Sequence, residues 1–127
     1  MASDLKDFIR VYDNALDPNC CNNAIKLFNE TPDAQDRWEN SHKPQFTQMN
    51  ITLLAERDKN QKWTAIQNQI ITAIQNVSEF YMRDTGCSPF WPPKNSIEQI
   101  RMKKYSVDTE DRFDIHIDVG DYATARR

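Results

Sequence analysis

The stretch Trp63-Thr-Ala-Ile-Gln-Asn-Gln-Ile-Ile-Thr-Ala-Ile-Gln-Asn-Val-Ser-Glu-Phe-Tyr81 decides the fold of this 127-residue chain. Its apolar residues recur at intervals of three or four, which is the period of one face of an α-helix. They are Trp63, Ile66, Ile70, Ile74, Val77 and Tyr81. Asp58, with glutamine three residues later, predicts a capping box at the start, and Gly86 predicts the end. The sequence therefore predicts a helix of about 24 residues whose aliphatic stripe packs on a sheet.

Upstream of this helix, the patterns predict one more helix and two short strands. Asp17 is an N-cap acceptor followed by proline, and apolar residues at helical spacing predict a helix over about 17–30. Residues 8–12 and 46–53 alternate between apolar and polar positions, which is typical of strands. The polar stretch 32–44 has no such pattern and is predicted to be a loop.

Downstream, residues 97–105 alternate again and predict a strand with two different faces. Ile100 and Met102 point to one side, which suits a helix. The other side carries polar and ionisable groups, which suit a lined cavity: Gln99, Arg101, Lys103 and Tyr105. With helices first and strands second, the chain is predicted to be one α+β domain whose helices cover one face of an antiparallel sheet.

Composition excludes several classes of function. The net charge of -3 and the pI near 5.3 argue against a nucleic-acid-binding protein, which usually presents a basic face. No apolar run approaches the roughly 20 residues that a membrane span requires, and the first residues lack the pattern of a signal peptide. Cys20, Cys21 and Cys87 lack the paired spacing of zinc ligands, so we expect reduced thiols and a cytoplasmic protein.

The candidate metal-binding residues are in the tripeptide His116-Ile-Asp118, which lies in the alternating segment Phe113-Asp-Ile-His-Ile-Asp-Val119. On a strand, His116 and Asp118 would point to the same face, roughly 6.5 to 7 Å apart along the backbone. An imidazole and a carboxylate so placed are two of the three ligands that hold non-haem Fe(II) in oxygenases. The alternative is a strand whose polar face is only solvated. No second histidine follows Asp118.

These residues carry a family resemblance. Three features resemble the Fe(II)- and 2-oxoglutarate-dependent dioxygenases of the prolyl 4-hydroxylase type. They are the stretch 97–105 ending in Tyr105, the eleven-residue interval from Tyr105 to His116, and Asp118 two residues after His116. The segment 8–18 and the long helix ahead of the catalytic sheet extend the resemblance over nearly the whole chain. The chain looks especially like the small members encoded by bacteria and bacteriophages.

The resemblance implies a double-stranded β-helix, or jelly-roll, with helical support over about 17–86 and the first barrel strands over about 97–127. It implies that His116 and Asp118 bind Fe(II) and that Tyr105 helps to seat 2-oxoglutarate. Such enzymes use dioxygen to hydroxylate a C–H bond of a peptide or small molecule, often at proline, and they convert 2-oxoglutarate to succinate and carbon dioxide. No group is assigned as a catalytic acid or base.

The chain departs from the family at two points. The family needs a second iron-binding histidine downstream, followed by an arginine or lysine for the far carboxylate of 2-oxoglutarate. His42 lies upstream, and Arg126 and Arg127 fall in the strand that precedes the distal histidine, so none is assigned either role. We expect the chain to be part of a longer protein, with completion by another chain or loss of catalysis as alternatives.

Two rival functions remain open at the level of sequence. The first is a non-catalytic interaction or structural module of a larger viral or bacterial assembly, which would reuse the fold and associate with itself or a partner. The second is a cupin-like barrel that holds zinc or manganese instead of iron.

Overall fold

Two α-helices cover one face of a three-stranded antiparallel sheet in the computed structural model, which describes residues 4–40 and 44–118. The helices are α1 (Pro18–Glu30) and α2 (Gln61–Thr85), and the strands are β1 (Gln35–Glu39), β2 (Gln45–Asn50) and β3 (Arg101–Lys104). Three 3-10 turns and one π-helical turn connect them: Leu5–Phe8, Pro32–Ala34, Ser88–Phe90 and Leu53–Arg57. The strand order β1-β2-β3 confirms the α+β class.

The order of elements along the chain corrects the expectation of helices first and strands second, because β1 and β2 lie between the two helices. β1 falls in the stretch 32–44 that was predicted to be a loop. Its five residues are polar or aromatic and mostly exposed, so they carry no alternating apolar pattern. All five pair with β2, which shows that a partner strand rather than intrinsic pattern determines this strand.

The first helix begins as the sequence predicts. The side chain of Asp17 accepts a hydrogen bond from the backbone N–H of Asn19 at 2.8 Å, and Pro18 occupies the first turn. The end of α2 is confirmed as well. Gly86 closes it with φ of 68°, in the left-handed region that glycine adopts without a steric penalty.

The start of α2 differs from the predicted capping box. Asn60, not Asp58, is the N-cap, and its Oδ1 accepts hydrogen bonds from the N–H groups of Lys62 and Trp63. Lys59 has a φ of 55°, so the chain turns sharply just before the helix. The N–H of Asp58 instead donates to the carbonyl of Leu53 and closes the preceding π-helical turn.

The core lies between the helices and the first face of the sheet. α1 contributes Cys20, Ala24 and Phe28, α2 contributes Trp63 and Ile66, and the segment from β2 onward contributes Met49, Ile51 and Ala55. Ile70, Ile100 and Met102 pack against this cluster, as the predicted helix stripe and strand alternation require. Trp63, Met49 and Ile51 are the largest fully buried side chains, so this face supplies most of the hydrophobic stabilisation.

One predicted strand is not formed, and a second is shorter than predicted. Residues 8–12 form no strand; they lie along the end of α2, where Tyr81 Oη donates to the carbonyl of Phe8 and Tyr12 Oη donates to Asp84. The strand predicted over 46–53 ends at Asn50, because the chain turns helical at Ile51.

The strand predicted over 113–119 is also wrong for its described residues, 113–118. The last described pairing in this region is an isolated bridge between Gln45 and Arg112. Among the described residues, no strand pairing is formed beyond Arg112, so the alternating pattern is not accompanied by a strand there.

Candidate functional site

The second face of the sheet, opposite the helices, carries a row of three aromatic side chains. Trp38 on β1 is the register partner of Phe46 on β2, and their rings stack with centroids 5.8 Å apart. Tyr105 follows the last residue of β3, and its ring lies 5.6 Å from that of Phe46. Phe46 is only 3% exposed although no helix covers it, because its aromatic neighbours shield it from solvent.

The candidate metal-binding residues join this aromatic row through Phe113. The Phe113 ring stacks on Phe46 with centroids 6.4 Å apart, and it contacts the imidazole of His116 at 3.8 Å. The sequence pattern had placed Phe113 and His116 on opposite faces of a strand. Because residues 113–118 are not a strand, the two rings meet instead.

The side chains of His116 and Asp118 lie close together, although the strand predicted to place them is not formed. Nε2 of His116 lies 3.2 Å from Oδ1 of Asp118, and both side chains reach solvent. Nδ1 of His116 lies 2.8 Å from the carbonyl oxygen of Asp114. A carbonyl oxygen only accepts, so Nδ1 donates its proton there, and Nε2 is the nitrogen that faces the carboxylate.

Tyr105 shares the cluster with His116 but is separated from it by Phe46 and Phe113. Its side chain is half exposed on the same sheet face. Tyr105 and His116 therefore border one aromatic surface, and among the described residues Tyr105 directly contacts neither His116 nor Asp118.

An ion pair fixes the loop that leads into this cluster. Arg37 on β1 makes a bidentate contact with Asp111, at 2.9 and 2.7 Å. The Asp111 side chain is 1% exposed and also accepts from the N–H of Ser106 and the hydroxyl of Thr109. The hydrogen bonds from Arg37 are the main reason that the pKa of Asp111 lies well below its usual range.

Asp111 therefore has a structural role in the acidic loop 106–111. Because Asp111 is occupied by Arg37, it is not available as a metal ligand, and the same contact raises the pKa of Arg37. This anchor sits one residue ahead of the Gln45–Arg112 bridge, so it sets where residues 113–118 leave the sheet.

The remaining candidates contribute nothing to the described site. His42, Arg126 and Arg127 lie outside the described residues. Within residues 4–40 and 44–118, no group of three His, Cys, Asp or Glu side chains is arranged to hold a metal ion. His116 and Asp118 thus remain a pair of candidate ligands, and no third candidate lies with them among the described residues.

Sequence reasoning missed the two aromatic residues on which the site is built. The unpatterned stretch 32–44 predicts a loop at Trp38, and the alternation over 46–53 predicts no more than a strand at Phe46. The alternation of β2 did contain a signal, since it places Phe46 on the polar side together with Gln48 and Asn50. An aromatic residue on an otherwise polar strand face indicates a second packed surface.

Comparison with family models, curated proteins and solved structures returned no match to the chain. In the described part of the chain, no helix combines the length and apolar character of a membrane span.

Proposed function

We propose that the chain is part of an Fe(II)- and 2-oxoglutarate-dependent oxygenase of the prolyl 4-hydroxylase type, in which His116 and Asp118 are two of the iron ligands. The observation that carries this proposal is the convergence of His116 Nε2 and Asp118 Oδ1 to 3.2 Å. Two ligand atoms about 2.1 Å from one ion and at right angles to each other lie about 3 Å apart.

The second contact of the imidazole supports a cation between the two atoms. Because Nδ1 donates to the Asp114 carbonyl, a neutral imidazole presents the lone pair of Nε2 to the carboxylate. Two acceptors at this distance repel each other unless a proton or a metal ion lies between them. Metal-bound histidines commonly donate their other N–H to a carbonyl oxygen in this way, which fixes the ring and its tautomer.

The two faces of the sheet fit the barrel that the resemblance implies. In the proposed jelly-roll, the helices cover the outside of one sheet, and the face that carries Phe46, Tyr105 and Phe113 lines the interior. Tyr105 then lies on the wall of the cavity that holds 2-oxoglutarate. The third iron ligand and the basic residue for the far carboxylate of the keto acid would come from outside the described residues.

The chemistry suits this set of ligands. His116, Asp118 and a second histidine would hold Fe(II), which would supply the oxidation of a substrate C–H bond with dioxygen and 2-oxoglutarate as cosubstrates. This chain's own residues bind and orient: Asp114 fixes the imidazole, and Phe113 holds its ring against the aromatic row. The substrate is a peptide or a small molecule.

Turnover of 2-oxoglutarate by the full protein tests the proposal. We expect Fe(II)-dependent formation of succinate, reduced more than about 100-fold by His116→Ala or Asp118→Ala. Asp114→Ala is the matched control, because the Asp114 side chain pairs with Arg112 and only its backbone carbonyl contacts His116. Full succinate formation by His116→Ala would overturn the assignment.

The rival function is a non-catalytic interaction module, and one observation favours it. Ile115 and Ile117 flank His116 with fully or mostly exposed side chains, which is unusual for large aliphatic residues and typical of a surface that a partner covers. This rival predicts that Ile115→Ser and Ile117→Ser abolish association while His116→Ala leaves it unchanged. The oxygenase proposal predicts the reverse for turnover: His116→Ala abolishes it, whereas Ile115→Ser and Ile117→Ser leave it unchanged.

A zinc or manganese site is distinguished by the identity of the metal in the purified full protein and by its geometry. A closed tetrahedral site indicates zinc, whereas an open octahedral site fits iron or manganese.

A further inference from the structure

A polar row lies beside the aromatic row on the second face of the sheet. Gln48 on β2 pairs in register with Asp36 on β1 and with Lys103 on β3. Because alternate residues of a strand share a face, these three side chains point to the same side as Trp38 and Phe46. The face that carries the candidate site therefore presents an acid, an amide and an amine side by side.

Lys103 is held over the aromatic cluster. Its Nζ lies 4.6 Å from the centre of the Phe46 ring and 5.7 Å from the centre of the Phe113 ring, which is the geometry of a cation–π contact. Phe113 is also the ring that contacts His116. The ammonium group thus lies over a ring that also contacts one of the candidate metal ligands.

No carboxylate of the described residues forms an ion pair with Lys103. The acid that shares its row is Asp36, which lies two strands away. Neighbouring strands are about 4.8 Å apart, so Asp36 is roughly 10 Å away along the row, too far for direct pairing. The positive charge of Lys103 is therefore free to meet an anion from outside.

Gln48 provides the second half of the site. The residue is only 8% exposed, and in the described part of the chain its side-chain amide makes no hydrogen bond. The amide itself reaches solvent, so it can exchange a hydrogen bond to water for one to a ligand. As the direct cross-strand neighbour of Lys103, Gln48 can donate to the same anion.

We propose that Lys103 and Gln48 form a carboxylate-binding subsite that selects an acidic substrate. The inference rests on the proposed function, since it assigns the substrate class of that same site. A carboxylate accepts a charge-assisted hydrogen bond from the ammonium and a second one from the amide, while the planar part of the ligand packs on Trp38 and Tyr105. Asp36 at the far end of the row repels a second carboxylate there.

The test uses the full protein without metal and monitors Gln48 and Lys103 by NMR. The probe is an N-acetylated, C-amidated glutamate, whose single charge is its side-chain carboxylate, and the neutral counterpart is the matching glutamine derivative. We expect the glutamate derivative to shift the Gln48 side-chain amide, and the glutamine derivative to bind at least about 10-fold more weakly.

Lys103→Met removes the charge but keeps the length of the side chain over Phe46, and we expect it to weaken binding of the glutamate derivative by about 10-fold. Lys104→Met is the matched control, because Lys104 is the next residue of β3 and faces the opposite side. We expect that variant to bind as the parent does. Gln48→Leu removes only the amide and should weaken binding several-fold.

Three results would overturn the inference. They are equal affinity for the two probes, an equal loss of affinity for the glutamate derivative in Lys103→Met and Lys104→Met, or a Lys103→Met variant that weakens binding of added 2-oxoglutarate but not of the glutamate derivative. The last result would assign Lys103 to the keto acid instead of the substrate. Because the probes are titrated without metal, failure here is separate from failure of Fe(II)-dependent succinate formation.

Discussion

The two faces of the sheet are built in different ways. On the first face, Met49 and Met102 pack against two helices, and the apolar surface is closed. On the second face, Phe46 is nearly as buried, and the described residues that cover its ring are other side chains of the sheet and of the segment that follows it. The first face therefore depends on secondary-structure packing, whereas the second depends on register and on a few ring contacts.

This difference separates stability from function. A closed core tolerates little change in volume, and its residues are replaced at high cost. The aromatic face has half-exposed members such as Trp38 and Tyr105, so it can adjust to a ligand at lower cost. Its proximity to His116 makes it the face on which binding and chemistry are expected.

The largest expected effect is on the first face. Trp63→Ala removes the largest fully buried side chain and should lower the free energy of unfolding by about 3–5 kcal/mol, because it leaves a cavity among α1, α2 and β2. Urea denaturation followed by circular dichroism measures the loss. Trp38→Ala, on the second face, serves as the comparison and should cost clearly less.

Phe46→Ala tests whether the second face is a weaker core. We expect a loss of about 3 kcal/mol, at the lower end for such a substitution, because half-exposed neighbours can partly fill the space. The same denaturation experiment measures it, and the NMR resonances of the His116 ring should shift because Phe113 loses its stacking partner. A cost above that of Trp63→Ala would contradict the ranking of the two faces.

The Arg37–Asp111 ion pair predicts acid sensitivity of the loop that leads into the aromatic row. Since the pKa of Asp111 is lower in the folded than in the unfolded state, its contribution is complete above the unfolded value of about 3.9 and is lost as the pH falls toward the folded value. The melting temperature of the parent should therefore drop by several degrees more than that of Asp111→Asn between pH 5 and pH 2.

Asp114→Asn is the control for this acid effect, because Asp114 is exposed and pairs only with Arg112. Its acid sensitivity should match that of the parent. Equal profiles for the parent and Asp111→Asn would show that the Arg37 contact contributes nothing.

The smallest effect concerns the start of α2. Asn60→Ala removes the acceptor for two backbone N–H groups and should cost about 1 kcal/mol. Asp58→Ala should cost only a few tenths of a kcal/mol, since Asp58 makes an exposed contact with Arg57. Thermal unfolding of both variants distinguishes the two caps, and the reverse order would restore the capping box that the sequence suggested.

Sequence patterns predicted the first face well for a physical reason. The stripe on α2 and the alternation of Ile100 and Met102 are local periodicities, and the helices that carry them begin and end at recognisable residues, Asp17 and Gly86. β1 was missed because its side chains are polar and its hydrogen bonds come from β2, which no local pattern specifies.

The site was predicted only in part. The His116 and Asp118 side chains do lie close together, but the strand expected to place them is not formed, and their role as metal ligands stays a prediction. The aromatic row could not be derived, because it requires the register between Trp38 and Phe46 and the Arg37–Asp111 anchor, which join residues far apart in the chain.

Binding of Mn²⁺, as an air-stable substitute for Fe²⁺, tests the central assignment most directly. Isothermal titration of the full protein at neutral pH should give a metal affinity that falls more than about 10-fold in His116→Ala and in Asp118→Ala, while Asp114→Ala retains it. If His116→Ala binds Mn²⁺ as tightly as the parent, the pair at 3.2 Å is only an ion pair, and the oxygenase proposal fails.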